Sequence, residues 1–451
     1  MPPFVKSMLL SMAARSFDFN YGILGKYLQA KMWKIYWRWQ SRPLHRTAEQ
    51  ELRVSPSAAI TPENGSCLLY TSSGGKYIIL GIPGRFGPPD GARRLRSGQE
   101  HEINGKGREN MAGSDIAIDL GTSSVKIYLS GKGIILNEPA VAAVDTNTDE
   151  VVAMGEEAYA MVGRTSERIA VVHPLCNGVI SEYDLAEHII SRYMKKISGS
   201  KVFMPRVVVS VPCSITEVEK RAVVDAISAS GVRKICLIEE PVAAAMGAGM
   251  DIAAPHGSLV VDIGGGTTDM AVLSLSGIAV SSSIKVAGDM FDETIVKYLR
   301  RKHNLIIGLR MAEEAKKQAG CVLPREETVV FRVKGRNAAT GLPAYVDVTS
   351  DELYEAMEEP AELIVRALQE LLEQTPPELM GDVYSDGGML TGGSAQIYGM
   401  NDLLSQRAKL PVWVAEDPQF CVAKGAGLAT KYIGAMEDKN YGGLNPLSSA
   451  Y

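Results

Sequence analysis

The sequence predicts an α/β protein made of two similar domains, and two observations support that prediction. The first is a pair of matching segments, residues 116–124 and 259–268, in which an apolar strand ends in Asp-x-Gly and continues through small hydroxyl residues into a second strand. The second is the alternation of strand-like and helix-period segments from Ser114 onward. A chain of 451 residues that is 46% hydrophobic can bury more than one core.

Glycine-rich turns between two strands are suited to binding phosphate, because backbone N–H groups can approach an oxygen with no Cβ in the way. Asp119 and Asp262 precede the two turns, and a carboxylate there can hold Mg²⁺ directly or through water. One Asp-x-Gly is only a turn signal. Two copies, followed later by a strand and a Thr-Gly-Gly turn, predict one nucleotide gripped from opposite sides.

Two further segments complete the predicted site. Residues 390–395, Leu-Thr-Gly-Gly-Ser-Ala, would set a close backbone turn against the adenosine end of the nucleotide. Glu239-Glu240-Pro241 ends another predicted strand, and proline in the first helical turn aims the preceding carboxylate. That glutamate could orient or deprotonate the water that attacks the γ-phosphate, or it could be a helix-start acid stabilised by the dipole. The residue pattern leaves both interpretations open.

The remaining elements follow from periodicity, turn residues and capping signals. Ser214 or Thr216, together with Glu217 and Glu219, predicts a capped start for the helix that ends before Gly231. The predicted strands span 115–120, 125–130, 134–136, 205–212, 234–238, 259–263, 270–275 and 388–390. The predicted helices span 216–230, 241–249, 289–303, 310–319 and 350–374.

Charge and composition exclude several classes of protein. Residues 1–110 hold 16 Lys and Arg against 8 Asp and Glu, yet the whole chain carries a net charge of −5, so the remainder is acidic. An acidic body argues against nucleic acid as a partner. No apolar run reaches the ~18 residues that a membrane-spanning helix needs. The six cysteines are scattered without a CxxC pair, which favours reduced thiols over disulfides or zinc.

Residues 1–110 differ in pattern from the rest, and we predict a low-order, basic N-terminal extension there. A basic, aromatic stretch, Lys26–Trp39, precedes a run rich in Pro, Gly and Ser without a helix or strand period. Met111 would be a natural initiator if the extension lies upstream of the native start. The alternative is an amphipathic segment for membrane contact or targeting.

Taken together, the motifs resemble those of the bacterial actin-like MreB family of rod-shape-determining filament proteins. The resemblance runs from about Ser114 to Ile433. Besides the phosphate turns, these segments match the family: Leu136–Pro139, Gly163–Thr165, Leu237–Pro241, Gly288–Glu293, Gly335–Asn337, Ala415–Pro418 and Cys421–Ala423.

The resemblance implies an actin-like ATPase fold with four subdomains around a central cleft for ATP and Mg²⁺. The first domain would span 111–255, with subdomain IB within about 142–178. The second would span 256–435, with subdomain IIB within about 291–374, and the chain would be free to return to the first domain near its end. Residues 436–451 would form a flexible tail.

The function implied by the resemblance is that of an ATP-dependent cytoskeletal protein. It would polymerise into paired protofilaments on the inner face of the cell membrane and determine rod shape together with cell-wall elongation membrane proteins. Hydrolysis of ATP would be coupled to filament dynamics. The alternative is a small-molecule kinase of the same superfold, although no motif for an acceptor pocket with an aspartate base is present.

The family's functional positions can be carried over residue by residue. The catalytic set falls on Glu240, Asp119, Asp262 and Thr267, with the two aspartates holding Mg²⁺ through water. The phosphate contacts fall on Gly121, Thr122, Ser123 and Ser124, and on Gly264, Gly265, Gly266 and Thr267. The ribose and base contacts fall on Glu313 and Lys316, then on Gly392, Gly393, Ser394 and Ala395.

For some of these positions a second interpretation stays open, and at others the residue differs from the one usual in the family. Glu313 and Lys316 could instead form an i,i+3 surface ion pair. Ser123-Ser124 and Ser394 replace the residues usual in the family at the rim of the pocket. The apolar tripeptide Val202-Phe203-Met204 lies between Lys201 and Arg206, and the resemblance implies that it inserts into the bilayer. The alternative is that these side chains tuck under a neighbouring helix.

Overall fold

Eighteen strands and ten α-helices make up the described part of the chain, which in this computed structural model comprises residues 115–198 and 205–433. The strands are β1 (Ile116–Leu120), β2 (Ser124–Leu129), β3 (Gly133–Pro139), β4 (Ala142–Asp145), β5 (Val151–Met154), β6 (Ile169–Val172), β7 (Leu175–Cys176), β8 (Val179–Ile180), β9 (Arg206–Val211), β10 (Lys234–Glu239), β11 (Ser258–Ile263), β12 (Thr268–Ser274), β13 (Gly277–Ile284), β14 (Leu305–Ile306), β15 (Val330–Asn337), β16 (Pro343–Thr349), β17 (Gly388–Thr391) and β18 (Val412–Val414). The helices are α1 (Glu156–Met161), α2 (Tyr183–Ser198), α3 (Glu217–Ser228), α4 (Glu240–Gly247), α5 (Gly288–His303), α6 (Leu309–Ala319), α7 (Ser350–Gln374), α8 (Pro377–Asp386), α9 (Met400–Ala408) and α10 (Cys421–Ala429).

The two large sheets share one topology. The first has the strand order β10-β9-β1-β2-β3, and the second has the order β18-β17-β11-β12-β13. In each, the hairpin strand that carries the Asp-x-Gly segment, β1 or β11, pairs antiparallel with the next strand and parallel with a strand from later in the chain. The duplication predicted from the two hairpins therefore extends to both whole sheets.

The central strands are buried on both faces, as expected of parallel pairing between layers. On the outer face of the first sheet, Ile118 and Val209 belong to one core with Ile227 of α3. On the outer face of the second, Val261 belongs to a core with Phe291 of α5. A third core lies between the sheets and includes side chains of β1, β11, α4 and α10.

Helices α4 and α10 cross between the two sheets at unusually short range. A Cβ at Gly247 would lie 1.8 Å from the carbonyl oxygen of Cys421, and one at Gly425 would lie 1.7 Å from that of Ala243. Helix α10 also contacts β1, β2 and β9, so a segment from the end of the described chain completes the core of the first sheet. The pair of helices is the packed connection between the halves.

Two small sheets are inserted into the duplicated plan. The sheet β5-β4-β6 with α1 lies between β3 and β9 in the chain, and the sheet β14-β15-β16 lies between β13 and β17. The sequence patterns predicted neither insertion strand by strand. The predicted cap of α3 is confirmed, since Thr216 and Glu219 form a reciprocal capping box. No helix in the described ranges is both long and apolar enough to cross a bilayer.

We predict that Gly425→Ala destabilises the protein by about 1–3 kcal/mol, because the added methyl group must push α4 and α10 apart. This loss should exceed the gain of about 1 kcal/mol that alanine brings to a helix interior. The denaturation midpoint in urea measures the effect.

Gly381→Ala is the matched control, since Gly381 lies in α8 and a Cβ there would meet no atom within 4 Å. It should raise the midpoint slightly through helix propensity alone. A Gly425→Ala variant as stable as the wild type would contradict the tight crossing.

Candidate functional site

The two glycine-rich turns meet face to face at the bottom of one cleft. A Cβ at Gly265 would lie 1.9 Å from the hydroxyl oxygen of Ser123, and one at Gly266 would lie 2.5 Å from that of Thr122. The Thr122 hydroxyl also accepts a hydrogen bond of 2.9 Å from the N–H of Gly178. Only residues without a side chain permit this approach, which brings the hydroxyl groups of one turn onto the backbone of the other.

Asp119 ends β1 with its carboxylate held by two partners. Lys126 on the adjacent strand β2 donates to Oδ2 at 3.0 Å, and the Ser210 hydroxyl of β9 donates to Oδ1 at 3.4 Å. The side chains of Asp119 and Lys126 are only 7% and 12% exposed, so the pair is largely desolvated. The lysine was not predicted as a site residue, although the hairpin register places it opposite Asp119.

Asp262 occupies the equivalent position at the end of β11. Its Oδ1 accepts a hydrogen bond of 2.6 Å from the Thr391 hydroxyl. The pKa of Asp262 is raised to about 7, chiefly by burial and in smaller part by the Asp269 and Asp119 carboxylates, while the Thr391 hydroxyl and Lys126 act in the opposite direction. Asp262 therefore carries a proton over part of the physiological pH range.

Glu240 is the first residue of α4 and lines the same cleft. Burial raises its pKa well above the usual range, and the nearby carboxylates of Asp269, Asp119 and Asp262 raise it further. Asp269, which the sequence analysis missed, is fully buried. Its Oδ1 accepts the N–H of Cys213 at 2.9 Å, while its Oδ2 has no hydrogen-bond partner.

The Thr-Gly-Gly turn after β17 closes the far side of the cleft. Gly392 has φ +87°, and a Cβ there would lie 2.2 Å from the carbonyl oxygen of Ile263. The hydroxyl of Ser394 donates to the carbonyl oxygen of Gly264 at 2.8 Å, which ties this turn to the second hairpin. Ala395 is the exception among the predicted contacts, because its side chain packs in the hydrophobic core.

Helix α6 supplies the two predicted ribose and base residues, but they do not pair with each other. Glu313 accepts from Lys317 at 2.6 Å, whereas Lys316 donates to the Gly288 carbonyl oxygen at 2.7 Å and to Asp292 at 2.9 Å. The i,i+3 ion-pair interpretation is therefore wrong. Burial raises the pKa of Asp292 to about 7, against the opposing charge of Lys316.

The predicted residues thus converge on a single cleft with a volume of about 840 Å³. It is lined by Asp119, Gly121, Thr122, Ser123, Ser124, Glu240, Asp262, Gly264, Gly265, Gly266, Thr267, Glu313, Lys316, Gly392, Gly393 and Ser394. Residues that sequence reasoning missed line it too, among them Lys126, Tyr159, Asp289 and Arg325. Val202, Phe203 and Met204 lie outside the described residues.

The carboxylates suit a divalent cation that arrives with a polyphosphate. Asp119, Asp262 and Glu240 line one cleft and interact electrostatically, so a nearby cation would relieve their mutual repulsion. Within the described ranges, no three His, Cys, Asp or Glu side chains are grouped so that they could hold a metal ion. The residues therefore fit a cation ligated mainly by phosphate oxygens and water.

Comparison with known proteins identifies relatives over most of the chain. The sequence model described as "MreB/Mbl protein" matches residues 113–438. The cell shape-determining protein Mbl of Bacillus cereus is 46% identical over 324 residues, which cover 72% of this chain and 97% of Mbl. The cell shape-determining protein MreB of Escherichia coli is 43% identical over 329 residues, covering 72% and 95%.

Solved structures show the same similarity. The crystal structure of MreB5 of Spiroplasma citri bound to ADP superposes with a TM-score of 0.70 at 35% identity, covering 73% of this chain and 99% of that one. The same protein bound to AMPPNP gives a TM-score of 0.70 over 72% and 98%. The predicted actin-like ATPase fold is confirmed.

We predict that the free energy of unfolding falls as the pH rises from about 4 to about 7, because the pKa of Asp262 is raised to about 7 in the native state. The native state keeps a proton that the unfolded chain releases near pH 4, so each unit of rise in pH disfavours folding. Asp262→Asn should remove this contribution, on the order of 3 kcal/mol. Urea unfolding of both proteins at pH 5 and pH 8 measures the difference.

The exposed Asp402 of α9 provides the control, since Asp402→Asn should leave the pH dependence of the wild type in place. If Asp262→Asn and wild type changed in parallel between the two pH values, Asp262 would not be the buried, protonated group described above.

Proposed function

We propose, from the premise that this chain belongs to the MreB/Mbl protein family, that it is an actin-like, ATP-binding protein of the cytoskeleton that determines cell shape. The relatives named for that role match nearly their whole length. Its solved relative MreB5 is described as bound to ADP and to AMPPNP. The single observation that carries the proposal is the face-to-face contact of the two equivalent glycine turns.

In this proposal the β- and γ-phosphates lie between the two turns, so that one ligand holds both halves together. Each turn offers backbone N–H groups and hydroxyl groups, with Thr122 and Ser123 on one side and Thr267 on the other. A ligand shifts a conformational equilibrium only by its differential affinity for the two states. ATP, which spans both turns, favours the closed and polymerising form, and loss of the γ-phosphate weakens closure.

Glu240 is proposed to orient and deprotonate the attacking water. A base is most effective when its pKa lies near the working pH, and burial shifts Glu240 upward from the usual carboxylate range. Its backbone is fixed by Pro241 in the first turn of α4. Thr267, also in the cleft, is proposed to assist in holding the water or the γ-phosphate.

Asp119 and Asp262 would hold the hydration shell of Mg²⁺. When bound, Mg²⁺ neutralises phosphate oxygens and so favours phosphoryl transfer to water. The Lys126 ammonium, already 3.0 Å from Asp119, keeps that carboxylate in place beside the first turn.

Assembly and location are further parts of the proposal. The domain limits given above remain the proposed ones, and we propose a homopolymer of paired protofilaments on the inner face of the cell membrane, acting with membrane proteins of cell-wall elongation. Val202-Phe203-Met204 is proposed to enter the bilayer. Each apolar side chain contributes about 1.5–3 kcal/mol on burial, so one subunit attaches weakly and a filament attaches tightly.

The alternative of a small-molecule kinase receives no support from the relatives, whose names describe cell-shape proteins. A kinase would transfer the phosphoryl group to an acceptor other than water. Measuring ATP consumption with and without a panel of sugars and acids would separate the two functions.

We predict that ATP raises the light scattering of the purified chain through assembly, and that Glu240→Ala lowers phosphate release by about 10²- to 10⁴-fold while nucleotide still binds. Assembled material should then persist longer after ATP is added. Light scattering and phosphate release, recorded on the same sample, measure both effects.

Glu239→Ala is the matched control, because Glu239 directly precedes Glu240, makes no side-chain capping hydrogen bond to α4 and does not line the cleft. It should release phosphate at the wild-type rate. Wild-type turnover in Glu240→Ala would remove Glu240 from the chemistry, and absence of ATP binding by the wild type would overturn the proposed function.

We predict that Phe203→Ser lowers co-sedimentation with anionic liposomes several-fold while ATP binding is unchanged, because the tripeptide Val202-Phe203-Met204 loses its aromatic side chain. Val218→Ser is the control, since Val218 is 80% exposed on α3 and lies outside the tripeptide. If Phe203→Ser and wild type sedimented equally with liposomes, membrane contact through the tripeptide Val202-Phe203-Met204 would be contradicted.

A further inference from the structure

A hydrogen bond joins the first small sheet's helix to the second half of the molecule. The phenol of Tyr159 on α1 donates to Oε2 of Glu313 on α6 at 2.5 Å, between residues 154 positions apart. Both side chains line the nucleotide cleft. The bond therefore bridges two inserted regions that reach the cleft from opposite halves.

The surrounding charges strengthen this bond. Lys317 donates to the other carboxylate oxygen of Glu313 at 2.6 Å, and the Arg310 guanidinium lies 5.1 Å from the centre of the Tyr159 ring. Burial alone would raise the pKa of Glu313, but its bonds to Lys317 and Tyr159 outweigh burial and hold the pKa below its ordinary value. A neutral phenol thus donates to an ionised carboxylate, which is the stronger kind of hydrogen bond.

Glu313 and Lys316, one turn apart on α6, have different partners. Lys316 is committed to Gly288 and Asp292, both within the second half of the molecule. Glu313 is also one of the residues on which the family's ribose and base contacts fall. One carboxylate therefore serves two tasks, because its two oxygens can accept about four hydrogen bonds.

We propose that Tyr159 is a positioning residue of the nucleotide site, which fixes the Glu313 carboxylate toward the ribose and holds the two inserted regions together over the bound nucleotide. This inference rests on the proposed nucleotide binding. In this arrangement nucleotide leaves only after the Tyr159–Glu313 bond opens, so loss of the bond speeds release. The chain thereby links the first small sheet to nucleotide exchange through one hydroxyl group.

The test is the rate at which the full chain releases 1,N6-etheno-ATP, whose label leaves the ribose hydroxyls free. In stopped flow against excess ATP, Tyr159→Phe should release the probe about tenfold faster than wild type, which corresponds to about 1.4 kcal/mol. Arg310→Gln removes the guanidinium that lies 5.1 Å from the centre of the Tyr159 ring and should also accelerate release.

A double-mutant cycle separates positioning from general loosening. In a Glu313→Ala background, Tyr159→Phe should have no further effect on the release rate, because its partner is gone. Tyr345→Phe, at a 69% exposed position on β16, should behave as wild type.

The outcomes are distinguishable. If the wild type does not bind the probe, the proposed nucleotide binding fails. If it binds and Tyr159→Phe releases at the wild-type rate, or if the effect persists undiminished with Glu313→Ala, the positioning role of Tyr159 is wrong.

Discussion

The structure depends on contacts between segments that are so close that only glycine, which has no Cβ, fits at the point of contact. Two of these contacts join the halves of the molecule, one where α4 crosses α10 and one where the two glycine turns meet. The first contact sets the distance between the sheets, and the second sets the distance between the two glycine-rich turns. Because both contacts exclude a Cβ, the halves can be joined tightly by a packed core and still leave a polar cleft above it.

Three buried carboxyl groups lie at or near the floor of that cleft. Asp262, Glu240 and Asp269 all have a raised pKa, chiefly through burial. Burying a charge is unfavourable, and burial raises the pKa of Asp269 even though its carboxylate accepts the N–H of Cys213. A ligand that binds only the native state adds to the free energy of unfolding. A bound cation would therefore offset the cost of burying these carboxyl groups.

Much of the fold and of the candidate site could be predicted from the sequence, because each glycine-rich turn is formed by residues that are close together in the chain. The glycine, aspartate and hydroxyl residues of each turn lie within one strand–turn–strand segment. The long helix α7 could be predicted from the helical period of its apolar residues. Asp269 and Tyr159 could not be found in the same way, because their partners lie 56 and 154 positions away in the chain. The β15–β16 hairpin escaped notice because most of its residues are exposed or half-buried and give a weak pattern. Glu313 and Lys316 both line the cleft, but their hydrogen-bond partners on α1 and α5 could not be read from the sequence.

The position of α10 has a consequence for synthesis on the ribosome. The inner face of β1 and β9 is covered by a helix that begins only at Cys421, long after β10 has ended at Glu239. At about 5–20 residues per second, the intervening chain takes roughly 10–40 s to emerge. During that interval the first half exposes an apolar surface that its own sequence cannot yet cover, which makes the nascent chain a natural client for chaperones.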